Sequence, residues 1–177
     1  MKMRPSGSDV AETSYPSFDP HITLLSLPSD SKLTVAELRS AVEVINQLDI
    51  AFKSVTIGDH FFRSVFVSIS PTPTLCDLHA RVHQRLNQQP RTPMFPHLSL
   101  CYITEEDAEK GERINFYDSL SRNGRVKITP GGVSLNCSSG DGDAEDWVSG
   151  FRANEIWIAE CNGPVNTWTV LDKVKLQ

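Results

Sequence analysis

The stretches P-H-I-T-L at residues 20–24 and P-H-L-S-L at residues 96–100 decide the fold. Each places a histidine and a hydroxyl residue two positions apart in an apolar run, and each precedes a helical pattern followed by two strand-like runs. The order strand, helix, hairpin therefore occurs twice. This repetition predicts a single domain at residues 20–177 built from two related halves, about 20–72 and 73–177.

The segment ahead of the first motif, residues 1–19, is rich in Ser, Pro and Asp. Such a composition has no hydrophobic period and favours disorder. We expect this segment to be irregular and loosely attached, with order beginning at His21.

In the first half, the run H-I-T-L-L-S-L-P predicts a strand that ends at Pro28. A T-x-x-E capping box at residues 34–37 begins a helix that we expect to run to about Leu48. The runs A-F-K-S-V-T-I and F-F-R-S-V-F-V-S-I-S then predict a hairpin, with its turn at the Gly-Asp pair 58–59.

In the second half, a helix is predicted over residues 74–88, with Thr74 as its N-cap. It leads to the strand H-L-S-L-C-Y-I, a helix over residues 104–120 and the strands R-V-K-I-T and V-S-L-N-C. The acidic, Gly-rich residues 138–150 are expected to form a mobile loop. The runs E-I-W-I-A-E-C and T-W-T-V-L-D-K-V-K-L close the chain as strands.

Composition narrows the class of function. The net charge of −5 argues against an extended nucleic-acid surface, which requires a basic stripe, but allows a small phosphorylated ligand. No apolar run approaches the roughly 20 residues of a membrane span. The four cysteines lack the close spacing of a zinc site. We expect a monomer without a cofactor or metal, with the cytoplasm as the default compartment.

The spacing of the paired motif has a physical meaning. Residues i and i+2 of a strand face the same side, so His21 points with Thr23, and His97 with Ser99. Opening a cyclic phosphate requires a base for water, an acid for the departing sugar oxygen, and donors for the charge that grows on phosphorus-bound oxygens. Two imidazoles and two hydroxyls supply these groups without a metal, because imidazole titrates near neutrality.

The other three histidines have plainer interpretations. His79 and His83 lie at i and i+4, half of a metal site, but no H-E-x-x-H joins them, and a solvated helix face is the stronger interpretation. His60 lies beside the predicted hairpin turn and is expected on the surface.

Some residues near the hairpin have two possible roles. Arg63 is as well placed to reach a phosphate as to keep an edge strand from aggregating. Phe61 and Phe62 are candidates for stacking on a base, although at least one is expected in the core. Gly131 and Gly132 indicate a turn.

Together with F-F-R-S-V-F-V and the tyrosine of H-L-S-L-C-Y, the two H-x-[ST] motifs resemble the 2H phosphoesterase superfamily, and within it the fungal and plant cyclic phosphodiesterases. The resemblance runs from about Pro20 to the last strand. It implies an α+β, bilobal 2H fold: two pseudo-symmetric antiparallel sheets flanked by helices, with a central cleft.

The resemblance also implies an activity. Members of this branch hydrolyse ADP-ribose 1″,2″-cyclic phosphate, a by-product of tRNA splicing, to ADP-ribose 1″-phosphate, and relatives open nucleoside 2′,3′-cyclic phosphates to 2′-phosphates. By this analogy His97 is the base and His21 the acid. Thr23 and Ser99 bind the phosphate, and Tyr102 is a further substrate-binding residue. Phe62 is added to the substrate-binding residues on its own chemistry, as a candidate for stacking on a base. Strict alternation, however, places Tyr102 on the face opposite His97, so its role requires a bulge or a strand end.

Two alternatives stay open at this stage: a non-catalytic module that binds a cyclic nucleotide or an RNA end, and a 2H enzyme that processes RNA ends. Family members usually begin with a strand and a helix ahead of the first motif. This chain has irregular sequence there, so we expect the first lobe to lack an edge strand, a helix and an aromatic residue that stacks on the base.

Overall fold

The computed structural model describes residues 10–42, 46–90, 95–138 and 144–177. Within these ranges the chain forms helices α1 (Val35–Val42), α2 (Pro73–Arg85), α3 (Glu105–Glu109) and α4 (Glu112–Arg122), and a short 3-10 helix at Val165–Thr167. Its strands are β1 (Leu48–His60), β2 (Arg63–Ile69), β3 (His97–Cys101), β4 (Val126–Thr129), β5 (Gly132–Asn136), β6 (Trp147–Val148), β7 (Gly150–Ala153), β8 (Glu155–Glu160) and β9 (Thr169–Lys175).

The strands form antiparallel sheets, in agreement with the predicted α+β class. One sheet has the order β3-β2-β1-β7, a second the order β4-β5-β6, and β8 pairs with β9. Along the chain, α1 precedes β1, α2 lies between β2 and β3, and α3 and α4 lie between β3 and β4. Among the described helices, none combines the length and the apolar character needed to cross a membrane.

The chain divides into two compact units, each assembled from three segments. Unit 1 contains Met1–Ile22, Ala51–Ile69 and His97–Gly150, and unit 2 contains Thr23–Ile50, Ser70–Pro96 and Phe151–Gln177. Each sequence-predicted half is therefore shared between both units. The prediction of related halves concerned the repeated order of elements and stays a prediction.

In unit 1, β1 and β2 form the predicted hairpin, but the turn lies elsewhere. The strands pair Val55 with Val67 within the ladder and His60 with Arg63 at its end. The turn therefore lies at Phe61 and Phe62. Gly58 lies inside β1 at a shift in register. A Cβ on Gly58 would lie 1.8 Å from the Arg63 carbonyl oxygen, so this glycine allows a close approach of the strands rather than a turn.

The core of unit 1 lies between this sheet and α4. Its buried members come from β2, from β3 and the residues after it, and from the inner side of α4: Val65, Cys101, Ile103, Phe116 and Leu120. Burial raises the pKa of the Cys101 thiol, which makes this cysteine an inert part of the core. The core therefore fixes β3, the strand that carries the second motif.

The segment ahead of the first motif is packed in place, which corrects the expectation that order begins at His21. Ser14 is 1% exposed, and its Oγ donates to Asp107 Oδ2 over 2.6 Å. The backbone N–H of Tyr15 donates to the Tyr102 carbonyl over 2.8 Å, and Ile22 forms a β-bridge with Leu98. Residues 10–22, which we call the N-terminal strap, therefore contact the outer side of β3, the edge strand of its sheet.

The strap has an irregular backbone. Residues 10–20 include neither helix nor strand, and residues 1–9 lie outside the described part of the chain. The predicted strand from His21 to Pro28 was wrong, because a strand requires a hydrogen-bonded neighbour and only Ile22 forms a bridge in the described structure.

The predicted helices form with altered ends. The capping box of α1 is confirmed, since Thr34 N–H donates to Glu37 Oε2 and Glu37 N–H donates back to Thr34 Oγ1. The helix does not reach Leu48, which begins β1, and residues 43–45 lie outside the described ranges. For α2 the N-cap is Thr72, which accepts from Leu75 N–H, and not Thr74.

The helix predicted over residues 104–120 is two helices. Thr104 caps α3 as its spacing from Asp107 suggests, but the chain turns at Gly111, whose φ is +87°. That left-handed conformation suits glycine and ends the first helical segment.

Unit 2 contains α1, α2 and the hairpin of β8 and β9. The predicted apolar stripe of α2 is buried: Leu75, Leu78, Val82 and Leu86. Within the predicted loop at 138–150, Trp147–Val148 form β6 against β5, and residues 139–143 lie outside the described ranges.

Candidate active site

His21 and Ile22 of the first H-x-[ST] motif lie beside the second motif in unit 1. The single antiparallel bridge of the strap joins Ile22 to Leu98, the middle residue of each motif. In an antiparallel pair the neighbouring positions run in opposite directions, so this register makes His21 and Ser99 the adjacent cross-strand positions. The first histidine therefore lies beside the strand that carries the second.

The ring of His21 has a defined hydrogen bond although its residue is exposed. Its Nδ1 lies 2.7 Å from the carbonyl oxygen of Asp19. Because a carbonyl accepts, Nδ1 carries the proton in this bond, which leaves Nε2 as the nitrogen that exchanges a proton with a substrate.

A bulge in β3 determines which side chains share a face with His97. Ser99 pairs with Phe66 and Cys101 pairs with Val65, so Leu100 is an extra residue between two adjacent positions of β2. Cys101 therefore faces the α4 core, whereas His97 and Ser99 lie on the other face. The His97 ring lies 5.4 Å from that of Phe66, in a T-shaped arrangement.

The same bulge resolves the position of Tyr102. One extra residue reverses the alternation, so Tyr102 returns to the face of His97 and Ser99. Its ring lies against the rings of Phe61 and Phe62, at centroid distances of 5.6 and 5.4 Å. The bulge that the role of Tyr102 required is therefore present.

Ser99 ties this strand to the β1–β2 turn. Its Oγ is buried and donates to the Phe62 carbonyl oxygen over 2.7 Å. The N–H of Phe62 donates in turn to His60 Nδ1 over 3.3 Å. Buried Ser64 closes the base of the turn, since its hydroxyl accepts from Ile103 N–H and donates toward backbone carbonyl oxygens. The hydroxyl of Ser99 therefore holds the β1–β2 turn at Phe61 and Phe62, which we call the aromatic turn.

Four aromatic side chains form a cluster next to the motifs: Phe18, Phe61, Phe62 and Tyr102. Phe18 stacks on Tyr102 at 4.1 Å with an interplanar angle of 10°, and lies 6.2 Å from the His21 ring in a T-shaped arrangement. Tyr102 is buried, whereas Phe62 is 44% exposed. The cluster therefore extends from the buried ring of Tyr102 to the exposed ring of Phe62.

The sequence as a whole matches known proteins. The model of the cyclic phosphodiesterase-like protein family matches residues 6–176. The chain belongs to this family. It is also 29% identical over 108 residues to a cyclic phosphodiesterase of Arabidopsis thaliana, an alignment that covers 58% of each chain. The chain thus aligns with somewhat more than half the length of that relative. The predicted membership of the cyclic phosphodiesterase branch of the 2H phosphoesterases is confirmed.

In this member of the cyclic phosphodiesterase-like family, the remaining hydroxyl of the motifs, Thr23, falls in unit 2 and is half-buried. The assignments of His21, His97, Thr23 and Ser99 to chemistry stay predictions. Within the described residues, no group of three or more His, Cys, Asp and Glu side chains is arranged to hold a metal ion.

His79 and His83 do not lie on a solvated helix face, which corrects that interpretation. His83 is 3% exposed, its Nδ1 donates to the His79 carbonyl over 2.8 Å, and the two rings are 4.2 Å apart. His79 stacks on Phe95 at 4.0 Å. Burial, with a smaller effect of His83, lowers the pKa of His79 and favours its neutral form.

Arg63 is paired at the end of the hairpin. Its guanidinium donates to the Asp59 carboxylate and holds the pKa of that carboxyl below its usual range. Reaching a phosphate would break this ion pair. The edge-strand role predicted for Arg63 was wrong, because β2 lies between β3 and β1 in its sheet. Gly131 lies in the β4–β5 turn as expected, whereas Gly132 is the first residue of β5.

Sequence reasoning missed Phe18 and the Asp19 carbonyl, the two groups of the strap that contact the His21 ring. Both lie in a stretch without periodicity, and a backbone carbonyl leaves no mark in a sequence. A signal was present for Phe18, because it is a large aromatic residue in a mainly polar segment. An aromatic residue three positions before a candidate catalytic histidine indicates a packing contact near that histidine.

Proposed function

We propose that the chain hydrolyses ADP-ribose 1″,2″-cyclic phosphate to ADP-ribose 1″-phosphate, nucleoside 2′,3′-cyclic phosphates to 2′-phosphates, or both. The observation that carries this proposal is the bridge between Ile22 and Leu98, which holds His21 beside the second H-x-[ST] motif at the edge of the sheet. Family membership supports the reaction class. The bilobal 2H arrangement with its central cleft, and the origin of the substrate in tRNA splicing, are part of the proposal.

In the proposed reaction, a water molecule attacks phosphorus while His97 accepts its proton. The bond from phosphorus to the leaving sugar oxygen breaks, and protonated His21 supplies a proton to that oxygen. The Nδ1 bond to Asp19 leaves Nε2 as the donating atom of His21. Each turnover returns both rings to their starting protonation states after proton exchange with solvent.

Ser99 connects phosphate binding with the aromatic turn. Its hydroxyl has one proton, which it donates to the Phe62 carbonyl. Donating that proton to a phosphate oxygen instead requires the bond to Phe62 to open. We therefore expect phosphate binding to release the carbonyl of Phe62, the ring best exposed for stacking on a nucleobase.

The test is turnover in the presence of EDTA, with ³¹P NMR to follow conversion of the cyclic phosphate to the monoester. General acid and base groups each contribute about 10²- to 10⁴-fold, so His21→Ala and His97→Ala should each lower kcat by about that factor. His79→Gln, assayed at pH 7.5, is the matched control, because it replaces a histidine that the proposed mechanism does not use.

Other outcomes separate the alternatives. Full turnover by both alanine variants would end the proposal. Calorimetric binding of the cyclic phosphate without product would favour a binding module. A rate on an oligonucleotide with a cyclic end well above that on the mononucleotide would favour RNA end processing.

A further inference from the structure

We propose that Phe18 is a positioning residue that fixes the orientation of the His21 imidazole, an inference that rests on the proposed function. The starting point is how little β structure holds this histidine. Ile22 forms the one described bridge next to it, and a single bridge does not define the direction of a neighbouring side chain as a ladder does.

Two contacts of the strap remain to orient the ring. The Asp19 carbonyl fixes Nδ1, and the Phe18 ring packs against the imidazole in a T-shaped arrangement at 6.2 Å. This distance and angle lie in the range favoured by aromatic pairs. A hydrogen bond at one atom allows the ring to swing about it, and the ring of Phe18 restricts that swing.

Phe18 is itself held from two directions. Its ring stacks on Tyr102, which is buried beside the second motif. The strap that carries it is anchored four residues earlier by Ser14, through a bond to buried Asp107, and by Tyr15, through the Tyr102 carbonyl. The position of Phe18 is therefore set by the same strand that presents His97 and Ser99.

A chain of contacts thus runs from one motif to the other: His21, Phe18, Tyr102 and the bulged end of β3. Phe18 contacts no substrate in this account. It holds Nε2 of His21 in register with the second motif, the condition for proton transfer in a site that relies on geometry.

The experiment compares Phe18→Leu, which removes the ring, with Phe18→Trp, which keeps an aromatic face. We expect Phe18→Leu to lower kcat about 10- to 100-fold with KM changed less than about twofold, because a displacement of about 1 Å costs this much in oriented reactions. Phe18→Trp should recover kcat to within about threefold of the original protein. Phe18→Met serves in the same comparison if Phe18→Leu does not fold.

A second readout is independent of turnover. In ¹⁵N NMR of the ligand-free protein at alkaline pH, where imidazole is neutral, His21 should show the Nδ1–H tautomer, and Phe18→Leu should shift both ring nitrogens toward the average of the two tautomers. Tyr15→Phe is the matched control on the same strap. It removes the bond to Glu112 and should lower the melting temperature without moving the His21 signals.

The results separate the two proposals. Unchanged His21 nitrogen shifts and a kcat within twofold of the original in Phe18→Leu would overturn the positioning role, whatever the substrate. Absence of turnover in the original protein would instead end the proposed function, and the NMR comparison would still decide what Phe18 does to His21.

Discussion

Replacing Ser14 with alanine should detach the N-terminal strap. Ser14 Oγ donates to the buried carboxylate of Asp107 over 2.6 Å and accepts from Thr104 N–H over 3.1 Å. A hydrogen bond to a charged group contributes about 1.5–3 kcal/mol, and the Thr104 N–H would lose its partner as well. We therefore expect a loss of roughly 3 kcal/mol in the stability of the strap and the start of α3.

The same bond holds the pKa of Asp107 below its usual range, with smaller contributions from Ala11 N–H, Thr104 and Lys110. A carboxyl whose pKa is lower in the folded state stabilises that state above its unfolded pKa, about 3.9, and the contribution is lost as the pH falls below that value. The difference between Ser14→Ala and the original protein should therefore be complete at pH 7 and shrink in acid.

The assay is thermal unfolding at pH 7, combined with hydrogen exchange at the amide of Tyr15, which bonds to Tyr102. For a chain of this size each kcal/mol shifts the melting temperature by about 2–4 °C, so a fall of about 6–12 °C is expected if unfolding is global. If the strap opens alone, exchange at Tyr15 should accelerate about 100-fold, as a loss of roughly 3 kcal/mol requires.

Ser17→Ala is the control, because Ser17 is an exposed serine of the same segment. It should change neither observable. A melting temperature within 1 °C of the original together with unchanged exchange at Tyr15 in Ser14→Ala would refute the conclusion that this network holds the strap.

Two further predictions concern the other unit and the hairpin. The pKa of His79 is lowered in the folded protein, so its neutral form stabilises the fold above about pH 6.5, and this contribution is lost as the pH falls. His79→Gln should therefore flatten the decline in melting temperature between pH 7.5 and 5.5. An unchanged slope would contradict this role of His79. Gly58→Ala would place a methyl group 1.8 Å from the Arg63 carbonyl and should cost about 3 kcal/mol or more in urea unfolding, whereas a cost below about 1 kcal/mol would mean that the register of the hairpin differs from the one described.

The parts of the fold that sequence predicted are those with a regular period or a paired local signal. The stripe of α2 repeats at helical spacing, the capping box at Thr34 and Glu37 satisfies both of its partners, and burial alternates along the first half of β1. These signals are local, so tertiary contacts reinforce them rather than compete with them.

The parts that sequence missed depend on distant partners. The strap has no period, and its order comes from Asp107, 93 residues away along the chain, through the hydroxyl of Ser14. His83 similarly appeared solvated because Arg81 and Arg85 flank it, yet its position on the helix turns it inward. In both cases burial depends on what packs against the segment, which composition does not report.

Gly58 shows a third kind of failure, in which the signal was seen and interpreted as the wrong feature. A glycine between two strand-like runs is typical of a turn, but it is equally suited to a place where backbones approach closely. The Arg63 carbonyl occupies the space that a side chain would need. The turn moves to Phe61 and Phe62, which places both aromatic rings at the end of the hairpin, beside Tyr102.

For the candidate site, the deciding local feature is one extra residue in β3. Without the bulge at Leu100, strict alternation would keep His97, Ser99 and Cys101 on one face and send Tyr102 to the opposite one. With it, Cys101 enters the α4 core while Tyr102 joins the aromatic cluster on the side of His97 and Ser99. This strand presents His97 and Ser99 on one side, buries Cys101 in the core on the other, and returns to the first side with Tyr102. That sequence of directions requires a break in the alternation. The bulge therefore connects the stability of unit 1 with the arrangement of its proposed chemistry.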